Sequence, residues 1–146
     1  MTGRADGVWF GVDVGTVRVG VARSDPRGVL ATPLATLARD IVRNTDVAQL
    51  AALVDEHEAV GIVVGLPRTL AGREGESAHM ARSYAGAVSR AVAPIPVELW
   101  DERLSTTLAE RRLAARGVRS RARREVIDQA AAVEILQHWL DARSVR

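Results

Sequence analysis

The run VWFGVDVGTVRVGVAR, at residues 8–23, constrains the fold more than any other part of the chain. Apolar residues alternate with other residues along VWFGVDV, and the same period of two returns in VRVGVAR after a short Gly-Thr connection. A period of two is typical of β-strands, and two such runs joined by a tight turn indicate an antiparallel hairpin. The alternation also predicts that Asp13 lies on the opposite face of the first strand from Val12 and Val14.

The rest of the chain alternates between strand and helix patterns. GVLATPLATL predicts a third strand limited by Pro33, and Asn44 is a good N-cap for the helix that follows. AVGIVVGL and IPVELW predict two more strands, separated by an amphipathic helix. TLAE is a capping box for a short helix that ends at Gly117, and EVIDQAAAVEILQHWLDA predicts a final helix. The order βββαβαβαα indicates one α/β domain over residues 1–146. Its mixed five-stranded sheet has an antiparallel opening and parallel later strands, flanked by helices.

Composition removes several classes of chemistry. The chain has no cysteine, which excludes disulfides, thiolate zinc sites and cysteine nucleophiles and fits a cytoplasmic protein. All 20 basic residues are arginine, so a Walker A phosphate loop and a Schiff-base lysine are also excluded. The three histidines have neither metal-ligand spacing nor a nucleophile motif beside them. No apolar run is long enough to span a bilayer, so no membrane association is expected.

Three carboxylates fall where the expected fold could bring them together. Asp13 ends the first strand, Glu102 follows the fifth, and Asp128 begins the apolar face of the last helix. Strands joined by helical crossovers run parallel, so their carboxyl ends meet at one sheet edge, where ligands collect. Oxygen ligands suit Mg²⁺ or Mn²⁺, and a two-metal site can hydrolyse phosphodiesters. Each acid also has a purely structural interpretation, as a turn acceptor, an arginine partner or a helix-terminus charge.

The charge is distributed unevenly. Residues 103–124 hold eight arginines and one acid, a net charge of +7, while the rest of the chain carries −5. Such a block favours a polyanionic partner, and a solvated loop is the alternative interpretation.

With these residues assembled, the sequence resembles the YqgF/RuvX family of small bacterial nucleases with an RNase H-like fold. The resemblance covers nearly the whole chain through four ordered motifs. They are GVDVGTVRVGVARSDPRGVLATPLATL, VVGLPRTLAGREG, DERLSTTLAERRL and DQAAAVEILQHWLD. Two positions depart from the pattern: Val17 stands where a basic residue is common, and the loop Thr69–Gly72 reads TLAG. Both departures bear on substrate contacts rather than on the carboxylates.

The resemblance implies roles for particular residues. It assigns catalysis and metal binding to Asp13, Glu102 and Asp128, with Mg²⁺ or Mn²⁺ as the cofactor. Residues inside the motifs or the basic block are candidates for nucleic-acid contacts: Arg18, Arg103, Arg119, Arg121, Arg123 and Arg124. Thr16, Ser105 and Thr106 are candidates for supporting the carboxylates. The implied activity is hydrolysis of structured nucleic acid, either 5′-end processing of pre-16S ribosomal RNA or resolution of Holliday junctions. A homodimer would suit symmetric junction cutting.

Two other functions remain open from the sequence. The phrase DVGT also looks like the first phosphate motif of actin/Hsp70-like ATPases, although those enzymes use two such domains and this chain supplies one. A noncatalytic nucleic-acid-binding module of the same fold is the other alternative, because fold does not determine activity. Loss of metal dependence with binding retained would favour the second.

Overall fold

The computed structural model describes residues 7–67, 72–102 and 121–144, with side chains of the last segment from residue 127 to 143. Five strands and three helices lie within these ranges. The strands are β1 (Trp9–Val14), β2 (Arg18–Ser24), β3 (Ala31–Ala38), β4 (Gly61–Leu66) and β5 (Val97–Asp101). The helices are α1 (Thr45–Glu56), α2 (Glu76–Val92) and α3 (Arg121–Ser144).

The strands form one mixed sheet in the order β3-β2-β1-β4-β5. β1 pairs antiparallel with β2, and β2 with β3, whereas β4 runs parallel to β1 and β5 parallel to β4. The predicted antiparallel opening and parallel later strands are therefore confirmed. β1, β3, β4 and β5 all end at one side of the sheet, where β2 begins. We call this side the carboxyl edge.

The alternating residues of β1 belong to two separate hydrophobic cores, one on each face of the sheet. Phe10, Val12 and Val14 pack with α1 and α2 on one face, and Trp9 packs with α3 on the other. The period-two prediction is thus confirmed, and burial on both faces explains why the strand carries so few polar residues. The four residues predicted to form the inner face of α2 are all buried: Ala78, Ala81, Ala85 and Val88.

A glycine lets α3 lie close to the sheet. A Cβ on Gly11 would be 2.6 Å from the Cβ of Leu136 and 2.8 Å from the carbonyl oxygen of Ala132, so any larger residue would push the helix away. The indole rings of Trp9 and Trp139 pack beside this contact in a tilted arrangement, with their centroids 4.1 Å apart. Helix and sheet therefore meet through one small residue and one pair of large aromatic residues.

The direction of α3 follows from two contacts near its ends. The backbone of Asp128 lies against Gly20, near the start of β2. Gln137 accepts a hydrogen bond from the backbone N–H of Ala31, at the start of β3, with a distance of 2.8 Å. Since β2 begins at the carboxyl edge and β3 begins at the opposite one, α3 runs away from the carboxyl edge. Its N-terminal turns lie on the carboxyl-edge side.

Two details of the strand and helix boundaries differ from expectation. Pro33 lies inside β3 rather than limiting it, because β3 is the edge strand and its register shifts beside Val21 and Ala22. Asn44 occupies the N-cap position of α1 but makes no side-chain capping bond, since its backbone is left-handed with φ of 55°. The Asp40 carboxylate instead accepts from the Thr45 hydroxyl at 2.7 Å.

Some expectations fall on other parts of the chain. The short helix expected from TLAE to Gly117, and the loop Thr69–Ala71, lie outside the described residues. The final helix is confirmed and begins at Arg121, four residues before the expected start. Within the ranges that the structure describes, no helix has the length and apolar character needed to cross a membrane.

Candidate active site at the carboxyl edge

Asp13 lies near the end of the central strand, between two glycines. Its partner on β2 is Gly20, and because Val12 pairs with Val64 on β4, the next residue along, Gly65, lies beside it on the other side. Paired residues on adjacent strands share a sheet face, so both glycines leave space on the face that Asp13 occupies. The aspartate is only 5% exposed, although it lies at the edge.

Glu102 fills the space over one of these glycines. It comes directly after β5, whose last residue, Asp101, pairs with Leu66. A Cβ on Gly65 would overlap the Oε2 atom of Glu102, so the carboxylate lies over that glycine. Adjacent strands are about 4.8 Å apart, and Gly65 is the neighbour of Asp13. The two buried carboxylates therefore occupy neighbouring positions on one face of the sheet, Glu102 being 8% exposed.

Asp128 lies over the other glycine. A Cβ on Gly20 would overlap the backbone carbonyl of Asp128, so the helix backbone itself rests on this position. The Asp128 side chain is 25% exposed. It shares a helix face with Ala132, Ile135 and Trp139, all buried as expected. The three acids chosen from the sequence thus surround one point of the sheet, on β1, after β5 and on α3.

An arginine already holds the third carboxylate. Arg18, the first residue of β2, donates from Nε to Oδ2 of Asp128 at 2.8 Å, in a partly buried ion pair. The sequence suggested a phosphate contact for Arg18, and this pair is an additional contact that joins residues 110 positions apart. Among the residues that the structure describes, no group of three or more histidines or acids has the arrangement of a ready metal cage.

The chemistry of this edge is that of hard oxygen donors. Two carboxylates on neighbouring sheet positions repel each other when both are charged, and a bound cation would relieve that repulsion. Mg²⁺ and Mn²⁺ take oxygen ligands of this kind, often with waters completing the shell. Asp13 and Glu102 supply donors of this type from neighbouring sheet positions, and Asp128 lies on the helix that packs beside them. Arg18 contributes a fixed positive charge at the same edge.

Some of the other predicted residues lie within the described ranges and some lie outside them. Thr16 is exposed in the turn between β1 and β2, close to Asp13 along the chain. Arg121, Arg123 and Arg124 fall in the first turn of α3, on the carboxyl-edge side of the sheet, with their side chains outside the described set. Four further candidates lie wholly outside the described residues: Arg103, Ser105, Thr106 and Arg119.

Sequence reasoning missed the part that Gly20 and Gly65 play in the site. Each interrupts a run of buried β-branched residues, in VRVGVAR and IVVGL. A glycine inside a strand pattern often marks the close approach of another backbone or a ligand, so the signal was present. What the pattern could not give is that both glycines flank the same aspartate.

Comparison with known proteins shows which family the chain belongs to. A family model described as "RuvX: Holliday junction resolvase" matches residues 7–142. A protein of Frankia casuarinae named "Putative pre-16S rRNA nuclease" is 58% identical over 136 residues, covering 93% of this chain and 67% of its own length. A protein of the same name from Mycolicibacterium smegmatis is also 58% identical, covering 92% of this chain and 80% of its own length.

A solved structure has the same fold. Thermus thermophilus RuvC in complex with a Holliday junction substrate superposes with a TM-score of 0.60 at 19% identity, covering 94% of this chain and 95% of RuvC. The likeness confirms the expected RNase H-like fold. The family model spans nearly the whole chain, and relatives at 58% identity cover more than nine-tenths of it. This chain therefore belongs to the RuvX family.

Proposed function

We propose that this protein is a nuclease that hydrolyses phosphodiester bonds of structured nucleic acid with the help of Mg²⁺ or Mn²⁺. One observation carries the proposal: Asp13 lies between two glycines, with Glu102 over one and Asp128 over the other. An acid with a purely structural role does not need a glycine beside it on both neighbouring strands. Two carboxylates on neighbouring sheet positions, with a third acid on the helix packed beside them, are typical of a site that binds a cation.

The residues divide the work as follows. Asp13 and Glu102 would hold the metal ions, and Asp128 would complete the oxygen donors. A bound ion would supply positive charge that favours attack of a water on phosphorus and stabilises the leaving oxygen. Arg18 orients the Asp128 carboxylate through its 2.8 Å bond and supplies positive charge beside the substrate phosphate. Arg121, Arg123 and Arg124 extend this positive charge, because α3 begins about 10 Å before Asp128 along its axis.

The substrate is best sought among two nucleic acids. The curated relatives are named for pre-16S ribosomal RNA, and the family description names the Holliday junction. We propose ribosomal RNA precursors as the first substrate, because that name belongs to the proteins with high identity. A four-way DNA junction is the second, and a twofold dimer would suit its symmetric cutting.

The test is cleavage by the Asp13→Asn variant. Both substrates are labelled and incubated with Mg²⁺, Mn²⁺ or EDTA. We expect metal-dependent cutting by the parent protein and a loss of about 1,000-fold or more in the variant, since a nearly isosteric amide removes a charged donor. Asp55→Asn is the matched control, because Asp55 is an exposed acid near the end of α1, far from the carboxyl edge.

The outcomes separate the alternatives. Full activity in Asp13→Asn, with folding verified by circular dichroism, would refute the assignment of the site. Binding by the parent protein without cleavage in any metal would favour a noncatalytic module of the same fold.

A further inference from the structure

Arg18 lies on the same face of the sheet as Asp13. Residues two apart on a strand share a face, and Gly20, the partner of Asp13, comes two residues after Arg18 on β2. Arg18 is therefore about 7 Å beyond Gly20 toward the carboxyl edge. Its backbone is held on both sides, because its carbonyl accepts from the N–H of Gly15 at 2.9 Å and it pairs with Ala38 on β3. The sheet thus fixes everything about Arg18 except the direction of its side chain.

The Asp128 carboxylate sets that direction. Its Oδ2 atom accepts from Nε of Arg18 at 2.8 Å, and the two side chains are partly buried, with 25% and 18% of their surfaces exposed. Asp128 is itself held in place, because its backbone lies against Gly20 and the next residue, Gln129, donates to the Thr36 hydroxyl on β3 at 2.8 Å. The ion pair therefore joins two backbone positions that are already fixed.

This bond uses one donor and one acceptor. A guanidinium carries five N–H donors, and the bond to Asp128 takes only the one on Nε. Among the residues that the structure describes, neither the terminal nitrogens of Arg18 nor Oδ1 of Asp128 has a hydrogen-bond partner. A two-point pair would occupy a terminal nitrogen as well, whereas this single contact leaves the forked end of the guanidinium for another acceptor.

A forked pair of N–H donors matches two oxygens of a phosphodiester group. An arginine has many rotamers, so holding one of them in advance lowers the entropy lost when the phosphate binds. The charge of Asp128 acts in the opposite sense, because it repels the phosphate. Water and salt screen that repulsion at a partly exposed site, whereas they leave the orientation unchanged. We therefore expect the orienting effect to be the larger of the two.

We propose that Asp128 is a positioning residue for phosphate recognition, which holds Arg18 through Nε so that its two terminal nitrogens bind a phosphate of the nucleic acid. This inference rests on the proposed function and gives Asp128 a second task, which operates in substrate binding even when no metal is bound. Oδ1 of the same carboxylate stays available for the task proposed above.

The test measures binding in EDTA, by fluorescence anisotropy, with the two labelled substrates of the cleavage assay. Asp128→Ala should bind each of them about fivefold more weakly than the parent protein, although it has lost a negative charge, because the guanidinium must now be ordered on binding. Asp128→Asn loses the same charge but keeps an oxygen that accepts from Nε, so it should bind more tightly than Asp128→Ala. Circular dichroism verifies that each variant is folded.

Two further variants assign the effect to Arg18. Arg18→Gln should bind about tenfold more weakly, and its slope of log affinity against log salt should fall by about one, since one phosphate contact is lost. Adding Asp128→Ala to Arg18→Gln should cause no further loss, because the acid then has no arginine to hold. Asp55→Ala removes an exposed acid far from the carboxyl edge and should not weaken binding.

Each contrary result has a distinct meaning. Binding by Asp128→Ala that equals or exceeds that of the parent protein, or that matches Asp128→Asn, would overturn the proposal, as would an unchanged salt slope in Arg18→Gln. An equal loss from Asp128→Ala with and without Arg18 would show that the acid acts by another route, which also overturns it. If the parent protein binds neither substrate, this inference and the proposed function fail together. If it binds with the expected pattern but cuts nothing in any metal, only catalysis fails.

Discussion

The absence of side chains at Gly20 and Gly65 allows the acidic residues to lie close together. Each lies beside Asp13, and each is covered by another acidic residue, through the Asp128 backbone in one case and the Glu102 carboxylate in the other. The difference between these contacts matters. A flexible carboxylate can move to accommodate a methyl group, whereas a helix backbone can move only as a unit.

Gly20→Ala is therefore expected to displace α3. Its Cβ would overlap the Asp128 carbonyl, and overpacking of this kind costs about 1–3 kcal/mol of unfolding free energy. Cleavage should fall as well, because Asp128 moves with the helix. Urea denaturation and the nuclease assay together provide the measurement. A variant as stable and as active as the parent protein would show that α3 does not need this close approach.

Gly86→Ala is the control for that substitution. Gly86 lies inside α2, where the atom nearest to a new Cβ is the Arg90 guanidinium at 3.6 Å. Alanine has the higher helix propensity by about 0.5–1 kcal/mol, so this variant should gain stability and keep its activity.

At the scale of elements, the connection from β3 to α1 depends on the charge of Asp40. Backbone bonds from Arg43 and the hydroxyl bond from Thr45 lower the pKa of the Asp40 carboxyl below its ordinary value. A carboxyl whose folded pKa is depressed stabilises the fold above its unfolded pKa, near 3.8, and loses that contribution as the pH falls through the folded value.

The pH dependence of Asp40→Asn follows from that sign. The variant should be less stable than the parent protein at neutral pH, and the difference should shrink as the pH falls below 3.8, because the parent carboxyl then becomes neutral too. Chemical denaturation of both proteins across this range measures the effect. A difference that stays constant with pH would mean that the charge of Asp40 is irrelevant to the loop.

This connection also marks the limit of what the sequence could predict. The strands and the inner face of α2 were predictable because their periodicity repeats over many residues. The start of α1 was assigned to Asn44 as a capping residue, whereas Asp40 bonds the backbone from outside the helix and Arg39 draws the Asn44 side chain away. Competition among several short polar side chains is decided by tertiary contacts that local patterns do not contain.

At the scale of the whole molecule, three arginines of the charge block lie in the first turn of α3: Arg121, Arg123 and Arg124. Arg123→Gln/Arg124→Gln should weaken binding of nucleic acid and lower the slope of log affinity against log salt by about two, one for each lost phosphate contact. Arg27→Gln/Arg90→Gln changes the net charge equally at exposed positions on the opposite side of the sheet, and its slope should match that of the parent protein. Equal slopes in all three proteins would mean that the charge block is a solvated surface that makes no phosphate contacts.

The site as a whole was only partly predictable. Asp13 and Glu102 could be grouped because parallel strands end at one edge, which is a consequence of topology. Asp128, on a helix, was added to them with the help of the family resemblance. The pairing of Arg18 with Asp128 could not be predicted, since it depends on how closely α3 packs against the sheet at Gly11 and Gly20.

The two cores described above separate the tryptophans of the protein from its tyrosine. All three tryptophans, Trp9, Trp100 and Trp139, pack on the α3 face, whereas the single tyrosine, Tyr84, lies buried on the α1/α2 face. Tryptophan emission therefore follows the docking of α3, the helix that carries Asp128. A spectrometer can thus observe the half of the molecule that assembles the carboxylates without any attached label.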